Sequence, residues 1–199
     1  MRRQYIFFLA ISSLLLASCS TQQAEDQTSF SRQDFVTETY LAYQDSLVYA
    51  WNLMMSDDNE KLSTLHALIE ELRKAEAAEN RLDFQKYDER LQQLHRIRYT
   101  QKSMANNDVI EEYDFASTAL VRELLSSAEL TTGYNDNARL QSLVDQIRLA
   151  EERIENYRAD YDDLVSHYNS FLDENRSDLI QLSLDSIQKK PRFQLVAIE

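Results

Sequence analysis

Apolar residues recur every three or four positions along four stretches of the chain, which is the spacing of one face of an α-helix. The second stretch either ends in a polar segment or bends and continues as far as Ile97. The four stretches cover residues 36–54, 62–72, 109–124 and 140–172.

The fourth stretch has the most regular pattern, and it sets the expected architecture. Its apolar residues alternate spacings of three and four over 33 residues, a heptad pattern on a helix roughly 50 Å long. The opposite face carries charged residues such as Arg148, Glu152 and Arg158. Such a helix needs long partners to bury its stripe. We therefore predict an all-α fold, an antiparallel up-and-down bundle of about four long helices with a short C-terminal tail.

The positions of helix-breaking residues divide the chain. It contains one glycine and one proline, so it has neither a P-loop nor a Gly-x-Gly-x-x-Gly loop. Ser31 and Asp108 are expected N-caps, and Gly133 is expected to end the third helix. The bundle is assigned to residues 32–175. Residues 176–199 are assigned to a short helix and a tail that either folds back on the bundle or docks on a partner.

The N-terminus resembles a bacterial lipoprotein signal. Arg2 and Arg3 precede a 12-residue apolar segment, which is too short to span a membrane comfortably. The segment ends in the lipobox Leu16-Ala17-Ser18-Cys19, which predicts cleavage before Cys19 and a lipid on its thiol. Residues 1–18 are then the signal peptide and residues 19–31 a lipidated cysteine with a flexible tether. An ordinary signal peptide or an uncleaved anchor helix are the alternatives.

Lipidation predicts attachment to a membrane of the cell envelope on the periplasmic side. Ser20 after the cysteine, rather than an aspartate, favours the outer membrane over the inner one. Loss of Arg2 and Arg3 with the signal lowers the formal net charge from −13 to −15, which argues against nucleic-acid partners. Paired acids at Asp57-Asp58, Glu111-Glu112 and Asp162-Asp163 are expected on solvated helix faces.

The fourth helix resembles the signature of the LemA family, whose last long helix has paired Tyr-Asn motifs after an Ala-Arg. An Ala-Trp motif near Trp51 and the closing Lys190-Pro191-Arg192-Phe193 also resemble that family. The resemblance implies a helical bundle held at a membrane and carries no enzyme activity. The residues at the signature positions are Trp51, Arg158, Tyr161, Asp162, Val165, Tyr168 and Asn169, with Asp162 where the family has asparagine.

Candidate chemistry is sparse. None of the three histidines has a glutamate three residues before it, as the di-iron bundle motif requires, and Asp163 with His167 is too small a set for a metal. Lipidation of Cys19 removes the single thiol. We therefore expect no enzyme activity, no metal and no cofactor. The eleven tyrosines either line the core with their hydroxyl groups at its edge or form a binding groove.

Two functions remain. The first is a non-catalytic scaffold or interaction module that binds unidentified envelope proteins while its lipid holds it to the membrane. The alternative is a carrier or sensor that binds a small ligand or lipid in a cavity of the bundle. An exposed apolar patch favours the first function, and a dry central pocket favours the second.

Overall fold

The structure is a computed structural model that describes residues 20–75, 83–182 and 187–193, with side chains from residue 32 onward. These residues form helices and turns, and no strand occurs among them, which confirms the predicted all-α class. The α-helices are α1 (Ser20–Ala75), α2 (Phe84–Ile97), α3 (Asn107–Leu130), α4 (Ala138–Glu174) and α5 (Arg176–Gln181), with 3₁₀-helices at Ser103–Ala105 and Tyr134–Asp136.

The chain divides into two compact units, which we call the bundle unit and the terminal unit. The bundle unit comprises residues 45–169 and 189–199, and the terminal unit comprises residues 1–44 and 170–188. The predicted lipobox Leu16-Ala17-Ser18, Cys19 and the rest of the signal segment lie outside the described residues.

Helices that follow one another in the bundle unit are antiparallel. In each pair of neighbours, contacts late in one helix meet residues early in the next, and α1 also packs antiparallel to α4. This arrangement is the predicted up-and-down bundle. The contacts that define it are Arg73–Asp88 and Arg98–Met55 for α1 and α2, Tyr87–Glu123 and Tyr99–Tyr113 for α2 and α3, Arg148–Glu129 and Arg158–Asp114 for α3 and α4, and Lys61–Glu151 and Trp51–Tyr161 for α1 and α4.

The first two apolar stretches belong to one continuous helix rather than to two. Helix α1 runs unbroken through residues 55–61, where the sequence pattern suggested a gap. Asp58 and Lys61 occupy the buried face there, between Met54 and Leu62, so the face is continuous although its chemistry changes. Each fully buried leucine on this face contributes about 1.5–3 kcal/mol to folding.

Two local boundaries differ from those expected, and a third agrees. Helical backbone begins at Ser20, inside the range predicted as a tether, and Ser31 lies within the helix. Asn106 rather than Asp108 caps α3, because its side-chain oxygen accepts the Asp108 N–H at 3.1 Å. Gly133 lies in the turn after α3, as expected, with a φ of 79° that favours glycine.

The terminal unit joins the first part of α1 to the last turn of α4 and to α5. The Arg32 Nε lies 3.1 Å from an Asp178 carboxylate oxygen, and the rings of Tyr43 and Phe171 pack with centroids 5.3 Å apart. Val36 of α1 is buried in this unit. The short helix α5 is the one predicted after the bundle, and it spans Arg176–Gln181.

No helix in residues 20–75, 83–182 and 187–193 is long and apolar enough to cross a lipid bilayer.

Candidate functional site

A buried carboxylate in α1 connects three segments of the bundle unit. Asp58 is only 2% exposed, and the hydroxyl of Tyr113 in α3 lies 2.7 and 2.8 Å from its two oxygens. The Arg98 Nε lies 2.8 Å from Asp58 Oδ2, without hydrogen-bond alignment, so this contact is an ion pair. Burial, and then the charge of Asp58, raise the pKa of Tyr113 far above its usual value. The tyrosine is therefore a permanent donor to the carboxylate.

Lys61 extends this network to α4. Its Nζ lies 3.0 Å from Glu151 Oε1, 3.1 Å from Ser117 Oγ and 3.4 Å from Asp58 Oδ1. Burial alone would lower the pKa of Lys61, but the charges of Glu151 and Asp58 outweigh it and raise the pKa. The ammonium group is therefore charged inside the bundle, where two carboxylates compensate it.

The buried Arg158 of α4 forms a second ion pair, with the partly exposed Asp114. Two of its nitrogens lie 2.6 and 2.7 Å from the carboxylate of Asp114, and one also donates to the Tyr99 hydroxyl at 3.1 Å. Burial would lower the pKa of Arg158, yet Asp114 and Tyr99 raise it further. The sequence pattern placed Arg158 on a charged outer face, and the structure corrects this, because only 6% of the residue is exposed.

Residues 189–193 lie along α4 and are held by its side chains. The Asn169 side chain donates to the Lys190 carbonyl at 3.0 Å and accepts the Lys190 N–H at 2.9 Å. About two helical turns earlier, Asp162 accepts the Phe193 N–H at 2.7 Å. The pKa of Asp162 is raised by burial, although the Phe193 N–H acts in the opposite direction. We call residues 189–193 the tail segment.

The Phe193 ring fills an aromatic pocket in the bundle unit. It stacks on Trp51 at an interplanar angle of 9° and meets Tyr99 and Tyr161 edge to face. The Arg158 guanidinium carbon lies 5.1 Å from its centroid. Phe193 is 4% exposed as a result. The tail segment, residues 189–193, therefore lies against the bundle unit.

Five of the seven residues named for the LemA resemblance contact this tail segment. Trp51, Arg158 and Tyr161 form the aromatic pocket, and Asp162 and Asn169 bind the tail's main chain. Val165 and Tyr168 are fully buried on the same helix. Arg158 and Asp162 were expected on the charged or solvated side of α4, and only the structure shows that they meet the tail segment together with Tyr161.

A surface groove lies between α1 and α4. It has a volume of about 490 Å³ and a mainly apolar lining, with the carboxylates of Asp45 on α1 and Asp160 on α4. Tyr157 and Leu164 were predicted on the buried stripe of α4, and here they line the groove instead. Tyr49 is 70% exposed and Leu53 is 40% exposed. The lining residues are Asp45, Ser46, Tyr49, Ala50, Leu53, Tyr157, Asp160 and Leu164.

The tyrosines thus divide between the two predicted roles. Tyr161 and Tyr168 are fully buried in the core, whereas Tyr49 and Tyr157 line the surface groove. A tyrosine that faces solvent beside leucines is typical of a contact surface for another molecule.

The histidines do not assemble a metal site. His66 and His95 share a smaller groove with Glu70 and Asp88, but both acids pair with Arg73. His167 pairs with Asp163 at 3.5 Å, on one face as expected. In residues 20–75, 83–182 and 187–193, no group of three or more histidine, cysteine, aspartate or glutamate side chains is arranged to hold a metal ion.

Sequence reasoning missed the buried network, and it placed Asp57-Asp58 on a solvated face. Both are buried, because Asp57 pairs with Arg153 at 2.7 Å while Asp58 faces the bundle interior. Asp162 is likewise half-buried, whereas Glu111 and Glu112 are exposed as predicted. One signal was available: Asp58 and Lys61 continue the helical spacing of Met54 and Leu65.

The comparisons with known proteins add no family to this description. No family model, no curated protein and no solved structure matches the chain. The fold class, an all-helical bundle, is given by the structure itself.

Proposed function

We propose that the chain is a non-catalytic interaction module of the bacterial cell envelope, anchored by a lipid on Cys19. The observation that carries the interaction role is the surface groove between α1 and α4. The anchor rests on the lipobox sequence Leu16-Ala17-Ser18-Cys19, which also supports a periplasmic location with the outer membrane favoured.

The groove has the chemistry of a helix-binding surface. Its α1 wall runs from Asp45 to Leu53, about 12 Å along the helix axis, or roughly two turns of a partner helix. Tyr49, Leu53 and Leu164 provide apolar contacts of the type that anchor an amphipathic helix in a groove.

The charges at the groove select the partner further. Asp45 on α1 and Asp160 on α4 both line it, and the chain as a whole has a formal net charge of −13. A partner helix with apolar anchors flanked by lysine or arginine is complementary to this surface. We therefore propose a basic amphipathic helix of an envelope protein as the occupant.

A LemA-like identity remains part of this proposal. It is supported by the way the signature residues share one task, since Trp51, Arg158 and Asn169 all contact the tail segment or line its pocket. A shared structural task is what a family signature without catalytic residues would record.

The second candidate function is a carrier of a small apolar ligand. The groove volume of about 490 Å³ falls within the range of small-molecule pockets, which favours this candidate. The open position of Tyr49 at the surface favours the interaction module instead. Native mass spectrometry distinguishes them, because a carrier retains a small-molecule mass whereas an interaction module does not.

Photocrosslinking in the native host tests the proposal. Benzoylphenylalanine at position 49 places the crosslinker in the groove, and the same residue at position 115 is the matched control on α3. Tyr49 and Phe115 are 70% and 80% exposed, so accessibility is nearly equal. We expect one discrete protein adduct from position 49 and none from position 115.

A variant that introduces a positive charge then tests whether the adduct forms in the groove. Leu53→Arg should abolish the adduct by repelling a basic helix, while Leu149→Arg, at a residue of similar exposure on α4, should leave it unchanged. Equal adducts from both crosslinker positions, or insensitivity to Leu53→Arg, contradict the groove assignment. Cys19→Ala should release the protein from membranes, and continued membrane attachment contradicts the anchor.

A further inference from the structure

The tail segment is bound to the bundle unit in the manner of a peptide ligand. Its contacts are of two kinds: main-chain hydrogen bonds from Asn169 and Asp162, and one buried aromatic anchor, Phe193. A main-chain clamp combined with a side-chain pocket is how domains bind short extended peptides. The segment is not helical, and Pro191 lies at its centre.

Charge favours this arrangement as well. The segment carries Lys189, Lys190 and Arg192, against a chain whose formal net charge is −13. The Arg192 Nη1 lies 3.4 Å from Ser166 Oγ on α4. A basic segment that ends in an aromatic residue therefore meets a helix face that carries the carboxylate of Asp162 and ends in an aromatic pocket.

The aromatic pocket and the side chains of Asn169 and Asp162 together form one cleft. We propose that this cleft is a peptide-recognition site for a partner protein, and that the chain's own tail segment occupies it when the partner is absent. The partner's peptide has the chemistry of the tail segment: basic residues, then an arginine, then a phenylalanine or another aromatic residue. The main-chain clamp accepts any residue that retains its N–H at the position of Lys190, whereas the aromatic pocket selects the residue that takes the place of Phe193.

This site is separate from the surface groove. Trp51 is two positions from both Tyr49 and Leu53, which places it about 200° around α1 from each of them. Phe193 packs on Trp51, whereas the groove is lined by Tyr49 and Leu53. The two sites can therefore be tested, and can fail, independently.

Competition with the tethered tail segment gives the proposal a quantitative signature. A tethered segment is present at an effective concentration in the millimolar range, so a free peptide must compete against it. We expect a peptide to bind at least tenfold more tightly to a chain whose own tail is weakened than to the unmodified chain.

The experiment uses the whole chain in mild detergent and a synthetic peptide that copies residues 188–193. Two variants weaken the tail without touching the cleft: Phe193→Ala removes the anchor, and Lys190→Pro removes the N–H that Asn169 accepts. Trp51 is the single tryptophan, so its fluorescence reports occupation of the pocket. Circular dichroism checks that each variant keeps its helices.

We expect saturable fluorescence change below about 1 mM peptide with either folded variant, and at least tenfold weaker binding to the unmodified chain. The control peptide has alanine in place of its phenylalanine and keeps the same charge. Equal binding of the control peptide, or no binding to either folded variant, overturns the proposal. Concentration-dependent dimers of the unmodified chain that both variants abolish also overturn it, because a second copy would then be the occupant.

Discussion

The Asp58→Asn substitution tests how strongly the buried network stabilises the bundle unit. Asparagine keeps the size of the side chain but removes its charge and replaces one acceptor with a donor group. Tyr113, Arg98 and Lys61 then lose the carboxylate that lies 2.7–3.4 Å from their polar atoms. Removal of one partner from a buried ion pair typically costs about 3–5 kcal/mol.

The remaining contacts place the expected loss at the lower end of that range. Lys61 keeps Glu151 at 3.0 Å, and Arg98 keeps the Met55 carbonyl at 2.7 Å. We therefore expect Asp58→Asn to lower the free energy of unfolding by about 3 kcal/mol, measured by urea denaturation with helical circular dichroism.

The matched control is Glu129→Gln, which breaks a half-exposed pair with Arg148. Pairs of that kind contribute about 0–1 kcal/mol. A double-mutant cycle of Asp58→Asn with Arg98→Met should give a coupling energy of about 1 kcal/mol or more. If Asp58→Asn costs no more than the control, the reasoning about the network is refuted.

Three further substitutions probe other features. Burial and Asp58 hold the Tyr113 pKa above its unfolded value, so the unfolded chain ionises first and the free energy of unfolding falls as pH rises above about 10. Tyr113→Phe should reduce this fall by about 1.4 kcal/mol per pH unit, as measured by thermal unfolding at a series of pH values. The exposed control Tyr49→Phe should not change it. Gly133→Ala should lower the free energy of unfolding by about 1 kcal/mol, because a φ of 79° strains any residue with a Cβ, although no atom lies within 4 Å of that position. Gly133→Asn should lower it less, and equal losses in urea denaturation would contradict this reasoning. Arg158→Lys should cost about 1.5–3 kcal/mol in the same assay, since a lysine cannot reproduce the two-nitrogen contact with Asp114, and a neutral result would show that charge alone suffices.

The fold followed from the sequence because helical spacing is a local property. The apolar stripes and the scarcity of glycine and proline predicted helices, and the length of the fourth stretch required partners. The antiparallel order then followed from short connections between long helices. Boundaries were less predictable, since Asn106 and Asp108 are both good caps and only the path of the chain selects between them.

The candidate sites depended on contacts between distant segments, which spacing cannot reveal. Asp58 resembles any surface acid until Arg98 and Tyr113 approach it from other helices. The surface groove arises where Tyr157 and Leu164, on the predicted stripe of α4, remain partly exposed. The tail's position depends on Phe193 reaching a pocket built from residues more than 30 positions earlier in the sequence.

The buried network also bears on how long the folded state lasts. Its contacts join residues 55 and 90 positions apart, and they draw on α1, α3, α4 and the connection after α2. Such contacts are complete only after all these segments have assembled, so they are expected to be absent at the folding transition state. Interactions of that kind slow unfolding and leave the folding rate nearly unchanged. The buried network would then prolong the lifetime of the assembled bundle by lowering its unfolding rate.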